Sequence, residues 1–261
     1  MHKEMRYFNG SFCEFRSNEL NKKINYATGK GVKIGVIDSG WEKGLTDSRI
    51  KKGIGLVNPE DELSLLVSSD YNDTNGHGTA CTDIILRIAP DAEIYPIRVF
   101  GEKIETSANM LIESILWAIN NNIKILNISL GTLLPEALEP LYIVCEKARR
   151  KGIIIVASKS NTDDLSYPAI FENVIGVERG NFHDIFKFVV EENEGIECKA
   201  KGSYTDVCWL KGERIKLSGN SFATPVITGI VALFVENKRN TNLDNIIGIL
   251  QTIQMKKQLT T

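Results

Sequence analysis

The chain has 261 residues, a formal net charge of −2 and an estimated isoelectric point near 6.0, so its charge gives no purchase on nucleic acid or on an acidic membrane surface. With 43% hydrophobic and 25% charged residues it is not globally disordered. Its five cysteines, Cys13, Cys81, Cys145, Cys198 and Cys208, are odd in number and form no CxxC pair, which argues for reduced thiols over a disulfide framework. Met1–Phe8 lacks the apolar core of a signal peptide, and the longest apolar-rich run, Val226–Val235, is too short to span a bilayer. These features favour a cytoplasmic, monomeric protein with one domain over residues 1–261; no prodomain or signal peptide is visible, so the chain either folds without a prodomain or has had it removed.

Residues 1–30 are polar and mixed, with Leu20–Ala27 a short helix. Val32–Asp38 is apolar without alternation, the pattern of a parallel strand buried on both faces, and it ends on a carboxylate. Strand ends in open parallel sheets are where sites are built; alone, Asp38 reads equally well as a turn residue. Residues 41–74 read as loop with short strands. The acids there, Asp61, Glu62, Asp70 and Asp73, lack the spacing of an EF-hand loop and read as solvated. Of the three histidines, only His77 stands between glycines at the head of a helix, which runs to about Arg87.

Glu93–Val99 is a strand, and Ala108–Asn122 a helix with a broad apolar face. Lys124–Leu130 is a further buried strand, Pro135–Lys151 a helix closed by Gly152, and Ile153–Val156 a strand leading into Ala157–Asn161. Alone, Asn161 reads as a turn residue. Asn173–Glu178 is another strand, and residues 181–218 suggest hairpins and loops that give His183 and Cys198 no role. Next comes Gly219–Gly229, a polar serine at the mouth of a helix from about 221 to 236 that is apolar nearly all round, hence central and buried. Pro225 is tolerated in its first turn, and Gly219 lets the chain turn into it. Leu243–Met255 reads as a C-terminal surface helix.

A serine, a histidine and an aspartate in these settings suggest a nucleophile, a general base and an orienting carboxylate. Their order along the chain, Asp–His–Ser, is that of subtilisin. Val36–Gly40, Asn75–Ala80 and Gly219–Pro225 resemble the three signature motifs of the subtilisin-like serine proteases, the subtilases, and the likeness extends over roughly residues 24–235. The resemblance implies an α/β fold of three layers, a mostly parallel central sheet with helices on both faces. It implies a catalytic triad of Asp38, His77 and Ser221, with the oxyanion held by the Asn161 amide and the Ser221 backbone N–H. A peptide or protein substrate would lie as an extended strand between Ile104, Glu105 and Thr106 on one side and Ser129, Leu130 and Gly131 on the other. The pocket for the residue before the scissile bond would be closed by Ser166, Tyr167 and Pro168. The chemistry implied needs no metal and no cofactor.

Two departures from the family pattern stand out. Ile84–Pro90 leaves no room for the calcium-binding loop that interrupts the histidine helix of secreted subtilases, and Ser160 stands where the family has glycine. The resulting expectation is a serine endopeptidase, acting either as a selective processing enzyme for a leader or propeptide or as a broad intracellular degrader. A catalytically silent peptide-binding relative is the remaining alternative. Glu105, Asp163 and Asp164, placed at the channel and pocket rim, read equally well as solvated turn acids beside an apolar pocket or as the source of a preference for Arg or Lys near the cleaved bond.

Overall fold

The computed structural model describes residues 26–57, 65–101, 106–162, 165–192, 196–237 and 241–254. The helix expected over Leu20–Ala27 falls almost wholly outside them. In chain order the strands are β1 (Lys33–Asp38), β2 (Ile54–Val57), β3 (Leu66–Ser68), β4 (Glu93–Arg98), β5 (Ile125–Ile128), β6 (Ile154–Ser158), β7 (Ile175–Gly180), β8 (Phe188–Glu192), β9 (Ile196–Lys201), β10 (Ser203–Cys208) and β11 (Arg214–Ser218). The α-helices are α1 (His77–Ile88), α2 (Ala108–Asn120), α3 (Leu138–Arg150), α4 (Thr224–Asn237) and α5 (Leu243–Ile253).

The main sheet runs in the order β3-β2-β4-β1-β5-β6-β7-β9-β8, parallel throughout except at its two edges, where β3 and β8 are antiparallel to their neighbours. Alternate residues of the central strands feed opposite faces. Ile34, Val36, Ile154 and Val156 face the layer of α1, α4 and α5, while Ile37, Leu126, Ile155 and Ala157 face the layer of α2 and α3. Both faces are therefore dry, which is why these strands are apolar without alternation. Each Ile or Leu so buried contributes about 1.5–3 kcal/mol.

Residues 181–218 form two hairpins, β8–β9 and β10–β11, as the sequence suggests, but the first of them extends the main sheet. β9 enters the main sheet parallel to β7, β8 covers the edge, and only β10 and β11 pair apart from it. α5 is not merely a surface helix, because Leu243, Ile246 and Leu250 are buried in the core.

α1 is continuous from His77 to Ile88 and almost wholly buried, as the short Ile84–Pro90 connection requires. α4 is buried on all sides, with Val226, Ile227, Ile230, Val231, Ala232 and Leu233 each at 0% exposure. Its start differs from expectation. A 3₁₀ turn, Asn220–Phe222, precedes the helix proper, which begins at Thr224. Gly219 is extended (φ 162°), so the change of direction is made by that turn and not by the glycine.

Candidate active site

Three elements deliver three side chains to one point. β1 is central in the sheet, and Asp38 is its last residue. The Asp38 carboxylate is fully buried and accepts the Ser39 N–H at 2.7 Å. His77 is the first residue of α1, and its Nδ1 lies 2.9 and 3.0 Å from the two Asp38 oxygens. On the other side its Nε2 lies 3.0 Å from Ser221 Oγ, in the turn that opens α4. A carboxylate acts only as an acceptor here, so Nδ1 carries the hydrogen and Nε2 presents its lone pair to the serine hydroxyl.

The head of α1 is held from several sides. Gly76 takes φ 103°, and a Cβ there would strike the Trp209 indole at 2.2 Å. A Cβ on Gly78 would meet the Gly40 carbonyl oxygen at 2.4 Å, so the helix and the turn after β1 touch backbone to backbone. Asp73 is only 2% exposed and is not the solvated loop acid expected. One of its oxygens accepts the N–H of Asn75 and Gly76, and the other accepts the Thr79 N–H and hydroxyl. The His77 ring packs on Phe222, with centroids 4.8 Å apart.

Burial, the largest single influence, opposes a charged imidazole, but the Asp38 carboxylate against Nδ1 and the neighbouring Cys81 together outweigh it and hold the His77 pKa well above 6.5. Beneath the ring, Cys81 is fully buried, its Sγ 3.8 Å from His77 Nδ1, 3.4 Å from Ser129 Oγ and 3.5 Å from the Ser221 carbonyl oxygen. Burial, then the Asp38 charge, push its thiol up, so it stays protonated. Asp38, His77 and Cys81 bring a ligand atom each within 4.8 Å of one another, which makes them the described residues able to hold a soft cation. A buried chain continues from Ser129 through Asn127 Nδ2 (2.8 Å) and Asn127 Oδ1 to the Thr228 hydroxyl (2.9 Å) on α4.

Asn161 follows β6 and is exposed. Its Oδ1 accepts the Asn220 N–H at 2.9 Å, which ties its side chain to the residue before the nucleophile. A cavity of about 460 Å³ opens beside it, lined by Lys159, Asn161, Arg179, Ser218, Gly219 and Asn220. Ser129, Leu130 and Gly131 follow β5, with Ser129 nearly buried. Thr132 and Tyr167 exchange backbone hydrogen bonds at 2.9 Å each, clamping this wall to buried Ser166. A Cβ on Gly131 would lie 2.9 Å from the Tyr167 carbonyl oxygen, so the two walls touch. Thr106 is described next to the α2 N-cap Ser107. Ile104, Glu105, Asp163 and Asp164 lie outside the described residues.

Sequence reasoning missed Asp73, Cys81, Asn127 and Asn220. In the sequence Asp73 reads as a solvated acid, and Asn220 lies within the Gly219–Pro225 motif but gains no role of its own from it, while Cys81 and Asn127 carry no local signal.

The family model for the "Subtilase family" matches residues 29–259. Among relatives, the chain is 29% identical over 216 residues to a thermostable alkaline protease of Halalkalibacterium halodurans, covering 78% of this chain and 57% of that protein. It is 29% identical over 217 residues to subtilisin Savinase of Lederbergia lenta, covering 79% of this chain and 77% of that protein. The chain spans between about a third and three-fifths of the length of the first curated relatives it matches. A crystal structure of a lanthipeptide protease superposes with a TM-score of 0.70 at 19% identity, covering 93% of this chain and 86% of that one, a likeness of fold.

Proposed function

The chain belongs to the subtilase family, and from that membership we propose that it is a serine endopeptidase that hydrolyses peptide bonds through an acyl-enzyme. The observation that carries the reading is the unbroken relay from Asp38 through His77 to Ser221, with its two links at 2.9 and 3.0 Å. Ser221 Oγ attacks the scissile carbonyl as His77 Nε2 takes its proton. Asp38 holds the imidazole in the required tautomer and stabilises the imidazolium, which then protonates the leaving amine. Water, activated by His77 in the same way, cleaves the acyl-enzyme. The oxyanion is received by the Ser221 N–H, in the turn that opens α4, and by Asn161 Nδ2, the two donors this chemistry requires. The substrate lies as an extended strand along Ser129–Gly131, with Thr106 on the opposite wall.

The test is fluorophosphonate labelling and peptide turnover. Ser221→Ala is expected to lose both while keeping its circular dichroism and melting temperature. Asn161→Ala is expected to keep labelling at a reduced rate and lose about 100- to 1000-fold in kcat, as removal of such a donor does in subtilisin. Near-normal turnover by Ser221→Ala would refute Ser221 as the nucleophile, and a wild-type protein that neither labels nor turns peptide over would be a peptide-binding protein instead. We further propose selective processing of a leader or propeptide, which requires a peptide library to return one dominant cleavage motif. Cleavage spread over many unrelated sequences would assign a degradative role.

A further inference from the structure

Asn220, beside the nucleophile, is 9% exposed, and all its polar groups are engaged. Side-chain Oδ1 accepts the Arg179 backbone N–H at 2.9 Å. Nδ2 donates to the Ser160 carbonyl at 2.6 Å and lies 3.5 Å from the Lys159 carbonyl. The backbone N–H donates to Asn161 Oδ1 at 2.9 Å, and the carbonyl accepts from Ala223 N at 2.9 Å and Thr224 Oγ1 at 3.1 Å. The amide orientation is determined by its neighbours, because an N–H faces one end and carbonyls face the other.

The consequence falls on Asn161. An exposed side chain left to itself samples several rotamers, whereas an oxyanion donor is effective only when fixed in advance. Asn220 fixes it twice over. Its backbone N–H holds the Asn161 side chain by Oδ1, and its own side chain holds the Ser160 carbonyl, the backbone group just before Asn161. The same contact bears on the serine that stands at position 160. Among the described residues the non-glycines with positive φ are Tyr26, Asn122 and Lys211, so Ser160 sits in ordinary backbone and its peptide is tied down from Asn220.

We propose that the Asn220 side chain is a positioning residue for the reaction: by bridging the Ser160 carbonyl and the Arg179 N–H, it locks the Asn161 amide at a fixed distance from Ser221. This rests on the reading of Asn161 as the oxyanion donor. The test measures kcat and KM per active site, counted by fluorophosphonate titration. The variants are Asn220→Ala, Asn220→Ser, Asn220→Asp, Asn161→Ala and the Asn161→Ala/Asn220→Ala double variant. Asn220→Ala is expected to lower kcat by about 10- to 100-fold with KM within about twofold. In the Asn161→Ala background the same change is expected to cost less than about twofold, because the group it positions is already gone.

Asn220→Asp keeps the acceptor toward Arg179 but sets a carboxylate oxygen against the Ser160 carbonyl, and is expected to be at least as slow as Asn220→Ala. Should Asn220→Ala fail to fold, Asn220→Ser serves in the same cycle. Equal losses in both backgrounds, or wild-type kcat in Asn220→Ala, overturn the proposal. Wild-type kcat in Asn161→Ala alone would instead overturn the oxyanion assignment beneath it.

Discussion

At His77 two effects oppose each other, and which one wins sets a pH profile. Burial favours the neutral ring, and the Asp38 carboxylate, helped by Cys81, favours the charged one; together they win and the pKa is raised well above 6.5. Only the neutral ring accepts the serine proton, so activity falls as pH drops through this raised pKa. The acidic limb of kcat/KM is therefore expected above the ordinary histidine range of about 6.5. Asp38→Asn removes the charge that raises it, so the limb should move down as kcat drops about 10⁴-fold, the loss seen when the triad aspartate of a serine protease is changed. The linkage to stability has the opposite sense. A histidine whose folded pKa is raised lends stability below its unfolded pKa and loses it as pH rises through the folded one. Initial rates against pH for the two proteins decide the matter; a wild-type limb below 6.5 would mean that burial dominates. Asp38, His77 and Ser221 were legible in the sequence because each lies in a motif whose neighbours dictate its backbone. The roles of Asn220, although it shares a motif with Ser221, and of Cys81 were not, because their partners, Ser160 and Arg179 for one and Ser129 for the other, are about 40 to 60 residues away.

The element that depends most on one missed side chain is α1. Its N-cap, Gly76, has no side chain to satisfy the first N–H groups, which every helix leaves open. Neighbouring side chains do this from outside: Asn75 Oδ1 accepts the His77 N–H, Ser39 Oγ the Gly78 N–H, and Asp73 the Thr79 N–H together with those of Asn75 and Gly76 in the preceding turn, where it adds negative charge near the positive end of the helix dipole. The spacing of glycines around His77 made the helix head readable from sequence. That an acid four residues upstream folds back under it was not, because the path of an irregular turn is set by tertiary contacts such as Trp209 on Gly76. Hydrogen bonds to a charged group contribute about 1.5–3 kcal/mol each, and truncation also strands buried donors. Asp73→Ala is expected to lower unfolding stability by about 2–4 kcal/mol in urea titration, with Asp73→Asn losing less because one oxygen remains. A shift in denaturation midpoint too small to resolve would show that water replaces the carboxylate at no cost.

Across the whole molecule, the parallel strands β1, β5 and β6 could be read in the sequence because both of their faces are dry. The pairing of β9 with β7 could not, since nothing local in Ile196–Lys201 says which strand it will meet. Long-range closure is equally silent. Glu236 stands in the last turn of α4, where a negative charge is unfavourable for the helix dipole. One of its oxygens nevertheless accepts three backbone N–H groups, from Thr28 at 2.7 Å, Gly29 at 2.6 Å and Lys30 at 3.1 Å. These converging donors form an anion-binding nest and fasten the lead into β1 to the far end of the helix that begins beside Ser221. The turn is rigid in its own right: Gly29 has φ 84°, its Cβ position would lie 2.8 Å from Ala89 Cβ, and the Thr28 carbonyl accepts the Asp91 N–H. Without the carboxylate the three donors lose their common acceptor, and the first turn loses its tie to a residue some two hundred positions along the chain. Glu236→Ala is expected to cost about 2–4 kcal/mol of stability and Glu236→Gln about half that, because the neutral amide keeps one acceptor but not the charge. Since α4 is about 20 Å long, kcat at 25 °C should not change in either variant. Calorimetric melting alongside peptide turnover separates the two effects. A fall in kcat with an unchanged melting temperature would mean that Glu236 acts through the active site and not by closing the fold.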